Sequence, residues 1–127
     1  MGEHQDPRHP AKHPELKNKV ITPNVIVQLH NASLEMTLYD GKLFPAEYAG
    51  DIFASEHGSW NKSIQVDYEL IRVPLHQSGR ASGEYEDLST AASFGGRPVG
   101  VAVAPDGSLL VTDDASKSIW RIAYGGK

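Results

Sequence analysis

Apolar and polar positions alternate most clearly near the C-terminal end of the chain. Val99, Val101 and Val103 alternate with Gly100, Ala102 and Ala104, the period of a β-strand. Pro105-Asp106-Gly107 follows. Proline sets one turn torsion, aspartate bonds back to the backbone and glycine accepts positive φ, so the triplet predicts a tight hairpin. Leu109-Leu110-Val111-Thr112 makes the return strand. The small residues of the first strand imply that something packs closely against it.

Earlier segments read the same way. Val25-Ile26-Val27-Gln28-Leu29 is a short β-branched run and predicts a strand. Leu34 to Tyr39 alternates apolar and polar residues and ends at the Asp40-Gly41 turn. Phe44 to Gly50 is too short for a free-standing helix; it predicts a single turn docked through Phe44 and Tyr48 and closed by Gly50. Asp51 to His57 predicts a largely buried strand and Gly58 to Ser63 a loop. Tyr68 to Leu75 predicts a strand that Pro74 places at an edge or an end. Gln77 to Arg80 is a turn, Glu84 to Leu88 a short outer strand, and Ser118 to Tyr124 the last strand. No segment predicts a helix longer than one turn. Residues 1–20 are polar, with Pro7, Pro10 and Pro14, and read as an irregular arm. The arm's His4, His9 and His13 lack a regular ligand spacing, so they read as part of a solvated tail.

Short strands joined by turns define an all-β domain, a sandwich or a set of propeller blades. An internal echo favours blades. Gly50-Asp51-Ile52-Phe53-Ala54-Ser55-Glu56-His57 parallels Gly107-Ser108-Leu109-Leu110-Val111-Thr112-Asp113-Asp114. An alternating strand precedes each copy, Leu34–Tyr39 or Val99–Ala104, and an apolar-Arg-apolar strand follows, Ile71-Arg72-Val73 or Trp120-Arg121-Ile122. The repeat predicts two four-stranded antiparallel β-propeller blades over residues 21–127.

Composition narrows the function. The chain has 127 residues and a formal charge of −4, which argues against a sequence-independent nucleic-acid binder. It has no cysteine, so thiolate and disulfide chemistry are excluded. No apolar run approaches a membrane span, and the first residues lack the basic and apolar regions of a signal peptide. No phosphate loop, nucleophile elbow or zinc spacing occurs. Glu56 with His57, and Asp113 with Asp114, sit at equivalent strand ends. Such pairs can take Ca²⁺ through oxygen, but more often bond to turn amides. Trp60 and Trp120 suit packing better than a sugar platform, and Arg72 and Arg121, which recur in the repeat, read as structural.

Phe44-Pro45-Ala46-Glu47-Tyr48, Gly50-Asp51-Ile52-Phe53, Glu56-His57-Gly58-Ser59-Trp60-Asn61, Gly96-Arg97-Pro98-Val99-Gly100-Val101-Ala102 and Ile119-Trp120-Arg121 together resemble the C-terminal portion of the L-sorbosone dehydrogenase-like family. These are soluble aldose (glucose) dehydrogenases dependent on pyrroloquinoline quinone (PQQ). The resemblance covers residues 14–124 and implies a six-bladed β-propeller with the quinone over the central channel and Ca²⁺ as a possible second cofactor. It implies that Arg97 reaches the quinone carboxylates, where a planar, permanently charged fork suits a tricarboxylate. It implies further that His57 and Lys62 contact the cofactor and that Trp60 and Asn61 contact the sugar.

Six blades need on the order of 250 residues, so this chain has room for two. The family's general-base histidine and calcium segment belong to blades it does not contain. Three readings follow: a segment of a sugar oxidoreductase, inactive alone; a non-catalytic propeller module that binds carbohydrate or protein; or a truncated product without independent function. Three two-blade chains make six blades, so a homotrimeric ring is expected of the isolated chain. Relatives of this kind are usually exported, which implies a periplasmic parent.

Overall fold

The computed structural model describes residues 7–9, 13–16, 18–29, 31–59, 63, 68–90 and 96–125. Among the described residues, seven strands make two antiparallel sheets. The first has the order β1 (Ser33–Leu38), β2 (Ile52–His57), β3 (Tyr68–Val73), β4 (Glu86–Thr90). The second has β5 (Pro98–Val103), β6 (Leu109–Asp113), β7 (Ser118–Ile122). Each strand neighbours the next in sequence, so each sheet is a meander, as a propeller blade is. Within the described residues the second blade has three strands. Among the described residues, helical structure is limited to 3-10 turns at Pro14–Leu16 and Ala46–Tyr48.

Turn chemistry sets the register. At Pro105-Asp106-Gly107 the Ala104 amide donates to Ser108 O and the Gly107 amide to Ala104 O, both at 2.8 Å. Asp106 Oδ1 takes the Ser108 amide at 2.9 Å, and Gly107 sits at φ +86°. Gly50, at φ +84°, closes the Ala46–Tyr48 turn. β3 stops one residue before Pro74, which has no amide to continue the ladder. Gly100 in β5 confirms the close approach: a side chain there would meet Glu35 Oε2 at 2.7 Å and Thr112 Oγ1 at 2.8 Å.

The sequence echo is a structural equivalence. Phe53 pairs with Arg72 in the first blade, and Leu110 with Arg121 in the second. Both inner strands break register near their start, between Ser33 and Glu35 in β1 and between Pro98 and Val101 in β5. Residues directly opposite across an antiparallel pair share a face. The first blade therefore shows Phe53, Ser55, Leu70 and Arg72 on one face, and Ile52, Ala54, Glu56 and Ile71 on the other.

The first of these faces packs against Val101, Leu109 and Val111 of the second blade. Tyr39, Phe44 and Phe53 form the aromatic centre of this core, with Tyr39 edge-on to both phenyl rings. The Tyr39 hydroxyl donates to Gly107 O at 2.7 Å and accepts the amides of Leu43 and Phe44 at 3.1 and 2.9 Å. It thus fastens the β1–β2 connection to the hairpin of the second blade. Arg72 braces the outer part of the first blade. Its Nε is 2.7 Å from Asp51, its Nη1 3.0 Å from Glu86, its Nη2 2.9 Å from Glu47 O, and its guanidinium lies over the Tyr48 ring. Arg121 takes the corresponding place in the second blade and pairs with Asp106 at the surface. The structural reading holds for Arg72, which is buried among its partners, whereas Arg121 makes an exposed ion pair.

The strand expected at Val25–Leu29 does not form; those residues are irregular. Val25 and Val27 instead pack on the first blade's second face, against Ala54, Ile71 and Val73. The run has β propensity, but it lies across a sheet face rather than beside a strand edge. It therefore has no ladder to join.

A candidate functional site at one end of the blades

The end of β2, the start of β5 and the end of β6 lie at the same end of the two sheets, because β2 and β6 run antiparallel to β1 and β5. Three side chains meet there. His57, the last residue of β2, places Nδ1 3.0 Å from Pro98 O, so Nδ1 carries the proton and donates. Its Nε2 is then an acceptor, and Arg97 Nη2 lies 2.6 Å from it. Asp114 completes the group, with Oδ2 3.6 Å from His57 Nε2 and Oδ1 3.7 Å from Arg97 Nε. The imidazole is mostly covered, at 18 % side-chain exposure, whereas the guanidinium is 46 % exposed. The arrangement is an imidazole oriented by a backbone carbonyl, backing a solvent-facing cation.

The backbone at Arg97 is clamped on both sides. Its amide donates to Asp113 Oδ1 at 3.0 Å, and its carbonyl accepts the Asp114 amide at 3.2 Å. Asp113 Oδ1 also takes the amides of Ala115 and Ser116 at 2.9 and 3.1 Å, and Asp113 Oδ2 takes the Trp120 indole at 3.2 Å. Burial alone would raise the Asp113 carboxyl. The bonds from Arg97, Ser116 and Trp120 outweigh it and hold the group well below the usual carboxylate range. Gly96 has to be glycine, since a side chain there would overlap the Asp113 carboxylate. After His57 the chain turns at Gly58, at φ +71°, where a side chain would strike the Tyr68 ring. Across the blade interface, Ser55 Oγ donates to Val99 O at 2.5 Å and Glu35 Oε2 takes the Val101 amide at 3.2 Å. Together these bonds lock the entry into β5 against β2.

Two of the five residues that the sequence pointed to, His57 and Arg97, are therefore in direct contact. Trp60, Asn61 and Lys62 lie outside the described residues. Asp114 joins the pair without having been singled out for it. The signal available was its place at the polar end of the repeat, where turn bonding was the expected role; Asp113 fills that role. The strand-end pairs do not compose a cation site. Glu56 and His57, adjacent in β2, point to opposite faces, and Asp113 is committed to amides. Among the described residues, no three His, Asp or Glu side chains gather closely enough to hold a metal ion.

Comparison with known proteins agrees with this architecture. A family model described as TrAA12-like matches residues 5–125. An uncharacterized protein of Borreliella burgdorferi is 35 % identical over 114 residues, which are 85 % of this chain and 30 % of that protein. The PQQ domain of pyranose dehydrogenase from Coprinopsis cinerea, in its holo form, superposes with a TM-score of 0.66 at 22 % identity, over 86 % of this chain and 31 % of that one. The calcium structure of a Trichoderma reesei family AA12 carbohydrate-active enzyme gives 0.71 at 16 % identity, over 94 % of this chain and 31 % of that one. The two-blade chain spans about a third of the length of these proteins.

Proposed function

Because the chain belongs to the TrAA12-like family, we propose that it forms part of a PQQ-dependent sugar oxidoreductase of the sorbosone dehydrogenase-like kind and supplies that enzyme's cofactor anchor. The carrying observation is the Arg97–His57 contact at the open end of the blades. The donor set fits the cofactor. A half-exposed guanidinium offers paired N–H donors to a carboxylate, and its backbone is held from both sides. When bound, PQQ supplies the acceptor for the hydride that leaves an aldose.

This chain's residues bind and orient. Arg97 takes a quinone carboxylate in place of Asp114. His57, its tautomer set by Pro98 O, keeps Arg97 aimed outward. By the family resemblance, Lys62 is assigned to the cofactor and Trp60 and Asn61 to the sugar. No calcium ligand is assigned to the described side chains. Oxidation of the sugar requires the remainder of the propeller, so the isolated chain binds the quinone without turning over an aldose.

An absorbance titration of the chain with PQQ, paired with a dye-coupled aldose assay, tests the reading. Saturable binding that Arg97→Ala weakens is the expected result. No spectral change on mixing overturns it. Glycan binding without quinone binding replaces it with a carbohydrate-binding module.

A further inference from the structure

One atom of the Arg97–His57–Asp114 group faces two partners of opposite charge. Pro98 O lies 3.0 Å from His57 Nδ1 and accepts its proton in a hydrogen bond. Nδ1 therefore stays protonated, and any change of charge at the imidazole takes place at Nε2. Arg97 Nη2 is 2.6 Å from Nε2, and Asp114 Oδ2 is 3.6 Å from it. A guanidinium only donates and an ionised carboxylate only accepts. Without a proton, Nε2 is an acceptor and pairs with Arg97. With a proton, it is a charged donor that repels Arg97 and pairs with Asp114.

We infer, building on the reading of Arg97 as the quinone anchor, that His57 is a proton switch: a proton on Nε2 draws Asp114 to the imidazole and frees the Arg97 fork for a carboxylate of the ligand. The geometry of the fork supports this. Nε and Nη2 of an arginine form one donor edge, which takes a carboxylate through two parallel bonds. In the structure that edge is engaged, Nη2 by His57 and Nε by Asp114 Oδ1 at 3.7 Å. A single proton releases both donors and places a second positive charge beside the incoming anion. His57 is thus a positioning residue that acts through Arg97.

The other ionisable side chains around the imidazole, among the described residues, are committed elsewhere. Tyr68 stands opposite His57 in β3 and turns its hydroxyl to Ser59 O. Glu35 of β1 takes the Val101 amide. Asp113 of β6 is held well below the usual carboxylate range by its amide and indole donors. Glu56 and Glu69, paired across β2 and β3, lie on the opposite face of the first blade. An imidazole is the side chain whose charge ordinarily changes between about pH 5 and 8. Linkage is reciprocal: by whatever factor the proton strengthens anion binding, the anion strengthens proton binding. Occupation of Arg97 by PQQ therefore takes a proton up from solution.

Two measurements over about pH 5 to 8 test the switch. The first uses the chain without ligand. In NMR spectra the Arg97 Nε and Asp114 carboxylate resonances are expected to shift with the same midpoint as the His57 ring. Arg97 and Asp114 resonances that ignore the imidazole overturn the switch, whether or not the chain binds PQQ. The second is PQQ affinity by absorbance titration. Wild-type affinity is expected to rise about 10-fold as pH falls across the range, the scale of a typical coupling between two sites. His57→Gln keeps an amide oxygen for Arg97 and has no titrating group, so its affinity should be flat. A slope shared by both proteins belongs to the cofactor and overturns the switch, as does a wild-type affinity that ignores pH or rises with it. Coupled Arg97 and Asp114 shifts without PQQ binding at any pH support the proton exchange and refute the quinone anchor, so the two readings fail separately.

Discussion

Arg97 Nη2 and His57 Nε2 lie 2.6 Å apart across the interface between two blades, although forty positions separate them in the chain. The contact exists because His57 ends β2 while Arg97 begins β5, and the Ser55–Val99 and Glu35–Val101 bonds hold those strands together. If Arg97 is the quinone anchor, Arg97→Ala removes a charge-assisted pair worth ~1.5–3 kcal/mol. PQQ affinity measured by titration then falls about 10- to 100-fold. Arg97→Lys, which keeps the charge and loses the fork, recovers only part of this. Equal affinity in all three proteins removes Arg97 from the site.

Asp114 pulls the other way. It lies within 3.7 Å of Arg97 Nε and is itself half-exposed, so an incoming carboxylate competes with it for the guanidinium. Asp114→Asn is expected to tighten PQQ binding by about 2- to 5-fold, the scale of an exposed ion pair. The gain should shrink as salt is added. Weaker binding in the variant means that Asp114 holds Arg97 in place rather than competing for it.

Arg72 and Arg121 are equivalent in the repeat and unequal in burial. Arg72 and Asp51 are both nearly enclosed and 2.7 Å apart. Asp51 Oδ1 also takes the Leu75 amide at 2.8 Å. Arg72→Ala leaves that carboxylate buried without its counter-ion, and denaturant unfolding should show a loss of about 3–5 kcal/mol. Arg121 is more than half exposed, and its substitution by alanine should leave the unfolding midpoint unchanged within scatter. Similar losses at both positions mean that the second blade buries its arginine in solution.

The contrast also shows what the sequence made legible. Strand order, the Pro105-Asp106-Gly107 hairpin, the Ala46–Tyr48 turn and the two-blade echo all rest on local chemistry, and local chemistry is written along the chain. Which of two equivalent arginines is buried depends on β4 and the Tyr48 turn, which cover one blade and not the other. The Val25–Leu29 run had the right residues for a strand and no edge to pair with. His57 and Arg97 were legible as candidates through family resemblance. The link between them through Pro98 O, and the presence of Asp114, come from the blade-to-blade packing that a linear pattern does not carry.

Tyr39 tests that packing directly. Its hydroxyl serves three backbone groups, and its ring lies 2.7 Å from where a side chain on Gly41 would begin. Tyr39→Phe keeps the ring and leaves two amides and one carbonyl without that partner. A loss of about 2–3 kcal/mol in chemical unfolding is expected. Arg97 and His57 lie at the other end of the strands, so the PQQ affinity proposed for them should stay unchanged. A loss of affinity equal to the loss of stability means that the blades move as the site forms.

Two equivalent carboxyls give stability opposite slopes with pH. Burial pushes the Glu56 carboxyl up from its ordinary value of 4.5, with the Ser33 hydroxyl a partial offset. Above 4.5 the unfolded chain releases this proton while the folded chain still holds it, so stability falls as pH rises through the window up to the raised native value. Asp113 is held below its ordinary 3.8 by its amide and indole donors, which overcome its burial. Its contribution is complete above 3.8 and is lost as pH falls toward the native value, because the unfolded chain takes up the proton first. Melting temperature followed from acid to neutral pH should therefore peak between the two slopes. Glu56→Gln is expected to flatten the decline above the peak and Asp113→Asn the decline below it. A Glu56→Gln profile that keeps the upper slope means that Glu56 is ionised in the folded chain and that its second oxygen has found a donor.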